Sequence, residues 1–207
     1  ILPPGRPVAA VEARAAPENA EEARPCVPPP LPGHFEFVAR PPSPDLAGLV
    51  TRLTGYRETG AGPVRQYEVA SLAVPLIIGF GDPFRIGLGG PPGEAETYGS
   101  FAAGLFGGHV VIDSFGSSHC LQVDFTPLGA RRFFGLPMRD LAGRMVPIED
   151  LPCPGLRPLR ERLGEAPRWA ERFALVEDFI RLRTARAAGK PGPVAQAYAA
   201  ILAAETG

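Results

Sequence analysis

Six short strand-like runs follow one another between residues 64 and 125, and they restrict the possible folds of this chain more than any other feature. The runs are VRQYEVA, LAVPLIIGFG, FRIGL, YGSFAAGLF, HVVIDSF and HCLQVDF. They are rich in β-branched and aromatic residues, and glycine-rich turns such as GGPPG and GSS separate them. Because no helix-length segment lies between consecutive runs, the pattern predicts antiparallel pairing in a barrel or sandwich, not a parallel βαβ sheet.

A short helix is predicted immediately before the strand series, in the stretch SPDLAGLVTRLTGYRE. Ser43 is a good N-cap, Pro44 suits the first helical position, and Gly55 would end the helix. Arg57 and Glu58 follow the predicted helix end. An arginine–glutamate pair at this point would either clamp the structure or face a cavity inside a barrel.

The last third of the chain carries helical patterns. Thr126 and Pro127 are a typical helix start, and Gly135 is a typical helix end. Further helices are predicted in LRPLRERLGE and in PRWAERFALVEDFIRLRTARAA. The longest of them needs a partner for its apolar face, which is either the sheet or the same helix of a second copy. The apolar stripe on that face consists of Trp169, Phe173, Val176 and Ile180.

Composition excludes several classes of protein. The formal net charge of −1 over 207 residues is not that of a chain that binds a nucleic-acid backbone by itself. The three cysteines are widely spaced, which indicates neither a disulfide framework nor a zinc site. The expected compartment is therefore a reducing cytoplasm. No apolar run approaches the roughly 20 residues that span a bilayer, so we expect no membrane contact. Nine prolines in residues 1–33 predict a partly disordered arm.

No catalytic motif is present. The stretch GFGDPFRIGLGGPPGEAE contains neither glycine pattern of a nucleotide loop, and FGSSHC lacks the second glycine of a serine nucleophile elbow. The three histidines, His34, His109 and His119, include no His-X-His pair, although His109 and His119 could approach each other on neighbouring strands. We therefore expect a protein that is not an enzyme, without catalytic residues, metal or cofactor.

Several strings resemble the N-terminal part of a subgroup of AraC-type transcriptional regulators. They are LTGYRETG, SLAVPLIIGFGDPFRI, DFTPLGARRFFGLPMRDLAGRMVPIEDL, APRWAERFALVEDFIRLR and AYAAILAAETG. The resemblance implies a cupin-like β-barrel that senses a ligand, a helical element that supports dimerisation, and a DNA-binding domain with two helix-turn-helix units. The stretch AYAAILAAETG looks like the first helix of that DNA-binding domain. The helix-turn-helix units themselves are absent, so this chain would contact DNA only through a missing C-terminal domain.

The predicted fold class is therefore α+β, with an antiparallel cupin-like β-barrel followed by a helical dimerisation element. We predict a proline-rich arm at residues 1–40, the barrel sensor domain at 41–126, the helical element at 127–189 and the start of the DNA-binding domain at 190–207. The chain would form a homodimer through Trp169, Phe173, Val176 and Ile180.

A small-molecule effector would bind inside the barrel. Its predicted polar contacts are Arg57, Glu58, Asp113 and His119. Two alternatives remain open from the residues alone. The first is a small cupin-like enzyme, with or without a metal ion held by His109 and His119. The second is a partner-binding domain without an effector.

Overall fold

The computed structural model describes residues 33–60, 62–186 and Ala200. The predicted arm up to residue 32 lies outside the described residues. The predicted start of a DNA-binding domain at 190–207 also lies outside them, apart from Ala200.

The described residues form ten strands and three α-helices. The strands are β1 (His34–Arg40), β2 (Val50–Thr59), β3 (Val64–Glu68), β4 (Val74–Gly79), β5 (Phe84–Leu88), β6 (Thr97–Tyr98), β7 (Phe101–Ala103), β8 (Val110–Ser114), β9 (His119–Phe125) and β10 (Met145–Pro147). The helices are α1 (Pro127–Phe134), α2 (Leu156–Glu165) and α3 (Trp169–Arg186).

The strands form two antiparallel sheets, which confirms the α+β class and the antiparallel pairing. The large sheet has six strands in the order β1-β2-β9-β4-β7-β10, and the small sheet has four in the order β3-β8-β5-β6. No strand pair within the described residues joins the two sheets into a closed barrel. Residues of both sheets share one apolar cluster, so the sheets face each other.

The start and end predicted for α1 are confirmed. The side chain of Thr126 accepts a hydrogen bond from the backbone N–H of Gly129 at 3.0 Å, and Pro127 is the first helical residue. Gly135 ends the helix with φ 70°, a left-handed conformation that glycine adopts without a steric penalty. These signals are local to the sequence, which is why the pattern alone was sufficient to place the helix.

The three helices cover the face of the large sheet that points away from the small sheet. Alternating residues of β2, β4 and β9, such as Leu53, Leu76 and Val123, pack there against Phe133 of α1 and Leu159 of α2. The opposite face of the same strands points toward the small sheet. The described residues therefore form three layers, in the order helices, large sheet and small sheet.

The helix predicted in residues 44–54 is wrong beyond its first turn. Only Pro44–Leu46 forms a short 3-10 helix, and the chain then enters β2. Strand β2 pairs with β1 on one side and with β9 on the other. Because helix propensity is weak against tertiary pairing, the β-branched residues of this stretch, including Val50 and Thr54, adopt the extended conformation.

Two strands of the large sheet lie outside the segment predicted for the barrel. The last seven residues of the predicted arm form β1, which is an edge strand of the large sheet. Strand β10 lies inside the predicted helical element but pairs with β7 of the same sheet. The helices share one core with this sheet.

Polar contacts connect the N-terminal edge of the large sheet to α3. The carboxylate of Glu177 accepts hydrogen bonds from the backbone N–H and the hydroxyl of Ser43, each at 2.8 Å. It also forms an ion pair with Arg40 at 2.9 Å. These contacts lower the pKa of Glu177 although burial opposes the shift. These polar contacts therefore hold strand β1 and helix α3 together in addition to their apolar packing.

Most of the apolar stripe predicted on α3 is covered by the chain itself. Phe173, Val176 and Ile180 are buried in the core beneath the helix. Trp169 is partly buried, and its ring lies over Gly55 of β2, where a Cβ atom would overlap it. The sheet is therefore the partner of this stripe, and three of its four residues present no free surface to a second copy. Among the described residues, no helix is long and apolar enough to cross a bilayer.

Candidate ligand-binding cavity

A cavity of about 290 Å³ lies between the two sheets. Its size is at the lower end of the range found for small-molecule sites. The walls are mainly apolar, and the side chains that line them include Ile77, Phe84, Ile86, Phe101, Ile112 and Met145. These residues come from β4, β5, β7, β8 and β10, so residues distant in sequence form one enclosure.

A few polar side chains interrupt the apolar walls. Thr54 and Tyr56 come from β2, Gln122 from β9, and Ser114 from β8. Thr54 is 5% exposed, and its Oγ1 atom has no hydrogen-bond partner within the described residues. An unpaired buried hydroxyl costs free energy unless something in the cavity bonds to it. The atom itself has almost no accessible surface, so only a group packed directly against this part of the wall would reach it.

A buried carboxylate lies behind this part of the wall. Glu58 is 3% exposed, and it accepts hydrogen bonds from the hydroxyl groups of Tyr56 and Ser114. The backbone N–H of Gly116 donates a third hydrogen bond to it at 3.0 Å. Burial and the nearby carboxylate of Glu58 raise the pKa of Tyr56, so its hydroxyl stays protonated and acts as a donor. Glu58 thus fixes the orientation of two cavity-lining hydroxyl groups.

The mouth of the cavity carries a second carboxylate and several exposed apolar residues. Glu68 lines the mouth, and partial loss of water together with the charge of Asp124 raises its pKa. Phe37 and Val69 also line it, and Val69 is 84% exposed. A small molecule would therefore meet an apolar entrance with one acidic group.

The four predicted ligand contacts do not form one site. Glu58 is near the cavity but reaches it only through Tyr56 and Ser114. Arg57 is exposed and pairs in register with His119, and both point to the face of the large sheet opposite the cavity.

Asp113 is on the outer face of the small sheet. Its carboxylate forms two hydrogen bonds with the guanidinium of Arg65, at 2.6 and 2.7 Å, and this pairing lowers the pKa of Asp113. Asp113 therefore has a partner within its own sheet and does not line the cavity.

His119 instead joins the large sheet to α3. Its Nε2 atom lies 3.0 Å from a terminal nitrogen of Arg172, which is 7% exposed. The guanidinium of Arg172 lies between the rings of Phe80 and Trp169, 5.0 and 4.7 Å from their centres. Its Nε donates to the backbone oxygen of Leu163 at 3.0 Å. This arrangement orients an arginine without exposing it to the cavity.

Burial lowers the pKa of His119 to about 4, and the positive charges of Arg172 and Arg57 add to the effect. The ring is therefore neutral at neutral pH, which allows Nε2 to accept the hydrogen bond from Arg172. His119 contributes to packing between layers, not to ligand binding in the cavity.

The described residues contain no group of three or more histidine, cysteine, aspartate or glutamate side chains that could hold a metal ion. His109 is exposed beside β8 of the small sheet, whereas His119 lies on the far face of the large sheet. Cys120 lines the cavity, but burial raises the pKa of its thiol to about 12, so the thiolate is scarce at neutral pH.

The sequence pattern missed Thr54, Tyr56, Gln66, Glu68 and Gln122 as cavity residues. The sequence contains a pattern that points to some of these cavity residues. Thr54, Tyr56 and Glu58 alternate along β2, and strand periodicity would have placed them on one face. The helix predicted up to Gly55 conceals this alternation.

These features define an α+β domain with a small-molecule-sized cavity between two antiparallel sheets and a helical layer on one of them. The chain belongs to the family described as Domain of unknown function (DUF6597), which matches residues 39–147, more than half of the chain. The matched segment runs from the end of β1 through β10, and it contains nearly all of the cavity wall. No curated protein and no solved structure matches the chain.

Proposed function

We propose that this chain is the ligand-sensing and dimerisation module of a bacterial, cytoplasmic AraC-type transcription factor. In this proposal a small effector binds in the cavity between the sheets, and a C-terminal domain with two helix-turn-helix units binds DNA. The observation that carries the proposal is the mainly apolar cavity of about 290 Å³, open at one side, with the unpaired hydroxyl of Thr54 in its wall. Two facing antiparallel sheets are also the architecture of cupin-like double-sheet folds.

The layered arrangement allows a structural change caused by a bound effector to reach the helices. Strand β9 presents Cys120 and Gln122 to the cavity and His119 and Leu121 to the helical layer. A change in the position of β9 would therefore reach Arg172 on α3 directly. Thermodynamically, the effector would act only through its different affinity for two arrangements of sheet and helices.

The sequence beyond Gly207 tests the class. We expect the encoding reading frame to continue into two helix-turn-helix units. A reading frame that stops at Gly207, or one that continues into an unrelated domain, would contradict the AraC-type assignment. The cavity and its ligand chemistry would then need another role.

Dimerisation is tested separately by sedimentation velocity of the chain at tens of micromolar, where a regulatory homodimer should associate. We expect a dimer. Because most of the predicted stripe on α3 is buried in the core, the interface would use other surfaces. A monomer throughout this concentration range would remove dimerisation from the proposal but not effector binding.

A further inference from the structure

The charge distribution around the cavity suggests which effector it accepts. This step rests on the proposed function, because it assigns a ligand class to the same cavity. No lysine, arginine or histidine side chain of the described residues lines the cavity. The carboxylates of Glu68 at the mouth and Glu58 behind the wall lie next to the ligand space. The guanidinium of Arg52 also acts on Glu68, but it is outside the lining and already paired with Asp124, so an anionic ligand would meet no free counter-charge in the wall.

Of these two carboxylates, Glu58 gives the stronger argument that the cavity is negatively charged. Its three hydrogen bonds all come from neutral donors, namely two hydroxyl groups and one backbone N–H. Within the described residues it forms no ion pair, although the other buried acids, Asp124 and Glu177, pair with arginines. A buried carboxylate without a cation makes the adjacent space electrostatically negative, since a low-dielectric wall screens the charge poorly.

Aromatic rings surround the same space. Tyr56 and Phe84 lie with their ring centres 6.4 Å apart, one from each sheet. Phe101 and Phe37 also line the cavity. The faces of aromatic rings attract cations, and a cation removed from water gains most from them. Rings together with carboxylates favour an organic cation over a neutral molecule of the same shape.

The unpaired Thr54 hydroxyl is independent evidence for a ligand. Thr54 lines the cavity and is 5% exposed, and its Oγ1 atom has almost no accessible surface and no partner within the described residues. An ammonium N–H would donate to this oxygen once the Thr54 side chain turns it toward the ligand. The cavity therefore combines an orphan acceptor, negative charge and aromatic walls.

We propose that the cavity binds a small monovalent organic cation with an apolar body, of the arylalkylamine class. Its ammonium group lies on the side of Thr54 and Tyr56, and its apolar part contacts Ile77, Ile86 and Phe101. The volume of about 290 Å³ restricts the ligand to roughly one aromatic ring and a short chain.

Isothermal titration calorimetry with three matched probes tests this class. The probes are 4-phenylbutylamine, 4-phenylbutanol and 4-phenylbutyrate, which share the apolar body and differ in charge. We expect the amine to bind about tenfold more tightly than the alcohol, because a charge-assisted contact exceeds a neutral one by about that factor. The acid should bind more weakly than the alcohol.

Glu68→Gln removes the negative charge at the mouth and keeps the size of the side chain. Glu58→Gln makes the same change behind Tyr56. Each variant should lower the affinity for the amine about threefold to tenfold and leave that for the alcohol unchanged. Glu94→Gln is the matched control, since Glu94 is exposed and does not line the cavity.

Three outcomes overturn the assignment in different ways. If the alcohol or the acid binds more tightly than the amine, the cavity is a ligand site but the cation class is wrong. If none of the three probes binds at millimolar concentration, the cation class is wrong and the cavity loses its support as an effector site. An affinity for the amine that neither glutamate variant changes also contradicts the proposal, because the charge then plays no part.

Discussion

At the scale of single residues, two buried threonines differ in how their hydroxyl groups are paired. Thr126 accepts from the N–H of Gly129 and donates to the backbone oxygen of Gly48 at 2.8 Å. Thr54 has no partner for its Oγ1. The N-cap at Thr126 was predictable from sequence because capping involves adjacent residues. The isolation of Thr54 was not, because it depends on which strands surround it.

The two threonines should respond oppositely to the isosteric change to valine. Thr54→Val removes an unpaired hydroxyl, so the free energy of unfolding should stay unchanged or rise by about 1 kcal/mol. Thr126→Val removes a helix cap and should lower it by about 1 to 2 kcal/mol. Urea denaturation of both variants checks this. A loss of stability in Thr54→Val as large as that in Thr126→Val would show that the hydroxyl of Thr54 is paired in the folded protein.

His119 should make the stability of the protein depend on pH. The unfolded chain binds a proton at this ring near pH 6.5, whereas the folded chain binds it only near pH 4. The free energy of unfolding should therefore fall as the pH drops from about 6.5 to about 4. Partial exposure of the ring reduces the effect to about 1 to 2 kcal/mol.

Urea denaturation of the wild type and of His119→Gln between pH 4 and 7 measures this contribution. Glutamine can still accept a hydrogen bond from Arg172 but does not titrate in this range. We expect a shallower pH dependence in the variant. Identical pH profiles for the two proteins would mean that the ring has the same proton affinity in the folded and unfolded chains.

At the scale of elements, two helical glycines differ in whether close packing requires them. Substituting each of them therefore distinguishes the effect of packing on stability from the effect of helix propensity. Gly129 lies in the first turn of α1, where a Cβ atom would overlap the backbone oxygen of Leu49. Gly164 lies near the end of α2, where a Cβ atom would make an ordinary contact with the Cβ of Phe80 at 3.5 Å. The first glycine is required by the close approach of α1 to the chain before β2, and the second is not.

Alanine substitution at these glycines should therefore have opposite effects. Gly129→Ala should lower the free energy of unfolding by about 1 to 3 kcal/mol, because backbone must move to admit the methyl group. Gly164→Ala should raise it by about 0.5 kcal/mol through better helix propensity. The midpoints of urea denaturation test both. Stabilisation by Gly129→Ala would contradict the packing of α1 against Leu49.

The elements also show why some assignments were possible from sequence and others were not. Strands β5 and β9 match their predicted runs residue for residue, since turns and alternation delimit them. Strand β2 was misassigned because a serine and a proline at its approach imitate a helix start. Strands β1 and β10 lie at the two edges of the large sheet, and only pairing with a distant strand identifies them.

At the scale of the whole molecule, the large sheet packs against the helices with one face and lines the cavity with the other. Its strands present large apolar residues to the helices and a mixture of apolar and polar residues to the cavity. Sequence periodicity could predict that the sheet has two distinct faces. It could not predict that the small sheet would leave a cavity beside Thr54, because cavity formation depends on how side chains from both sheets meet.

The most direct test of a small-molecule site between the sheets is the thermal unfolding midpoint with a panel of small arylalkyl amines, alcohols and acids. Three proteins are compared: the wild type, Ala103→Phe, which fills the cavity, and Ala95→Phe, a control at an exposed position outside it. A ligand at 100 times its dissociation constant stabilises the folded state by about 2.7 kcal/mol, which raises the midpoint by a few degrees. We predict that at least one compound raises the midpoint of the wild type and of Ala95→Phe but not that of Ala103→Phe. Equal increases in all three proteins, or no increase with any compound, would contradict a ligand site in this cavity.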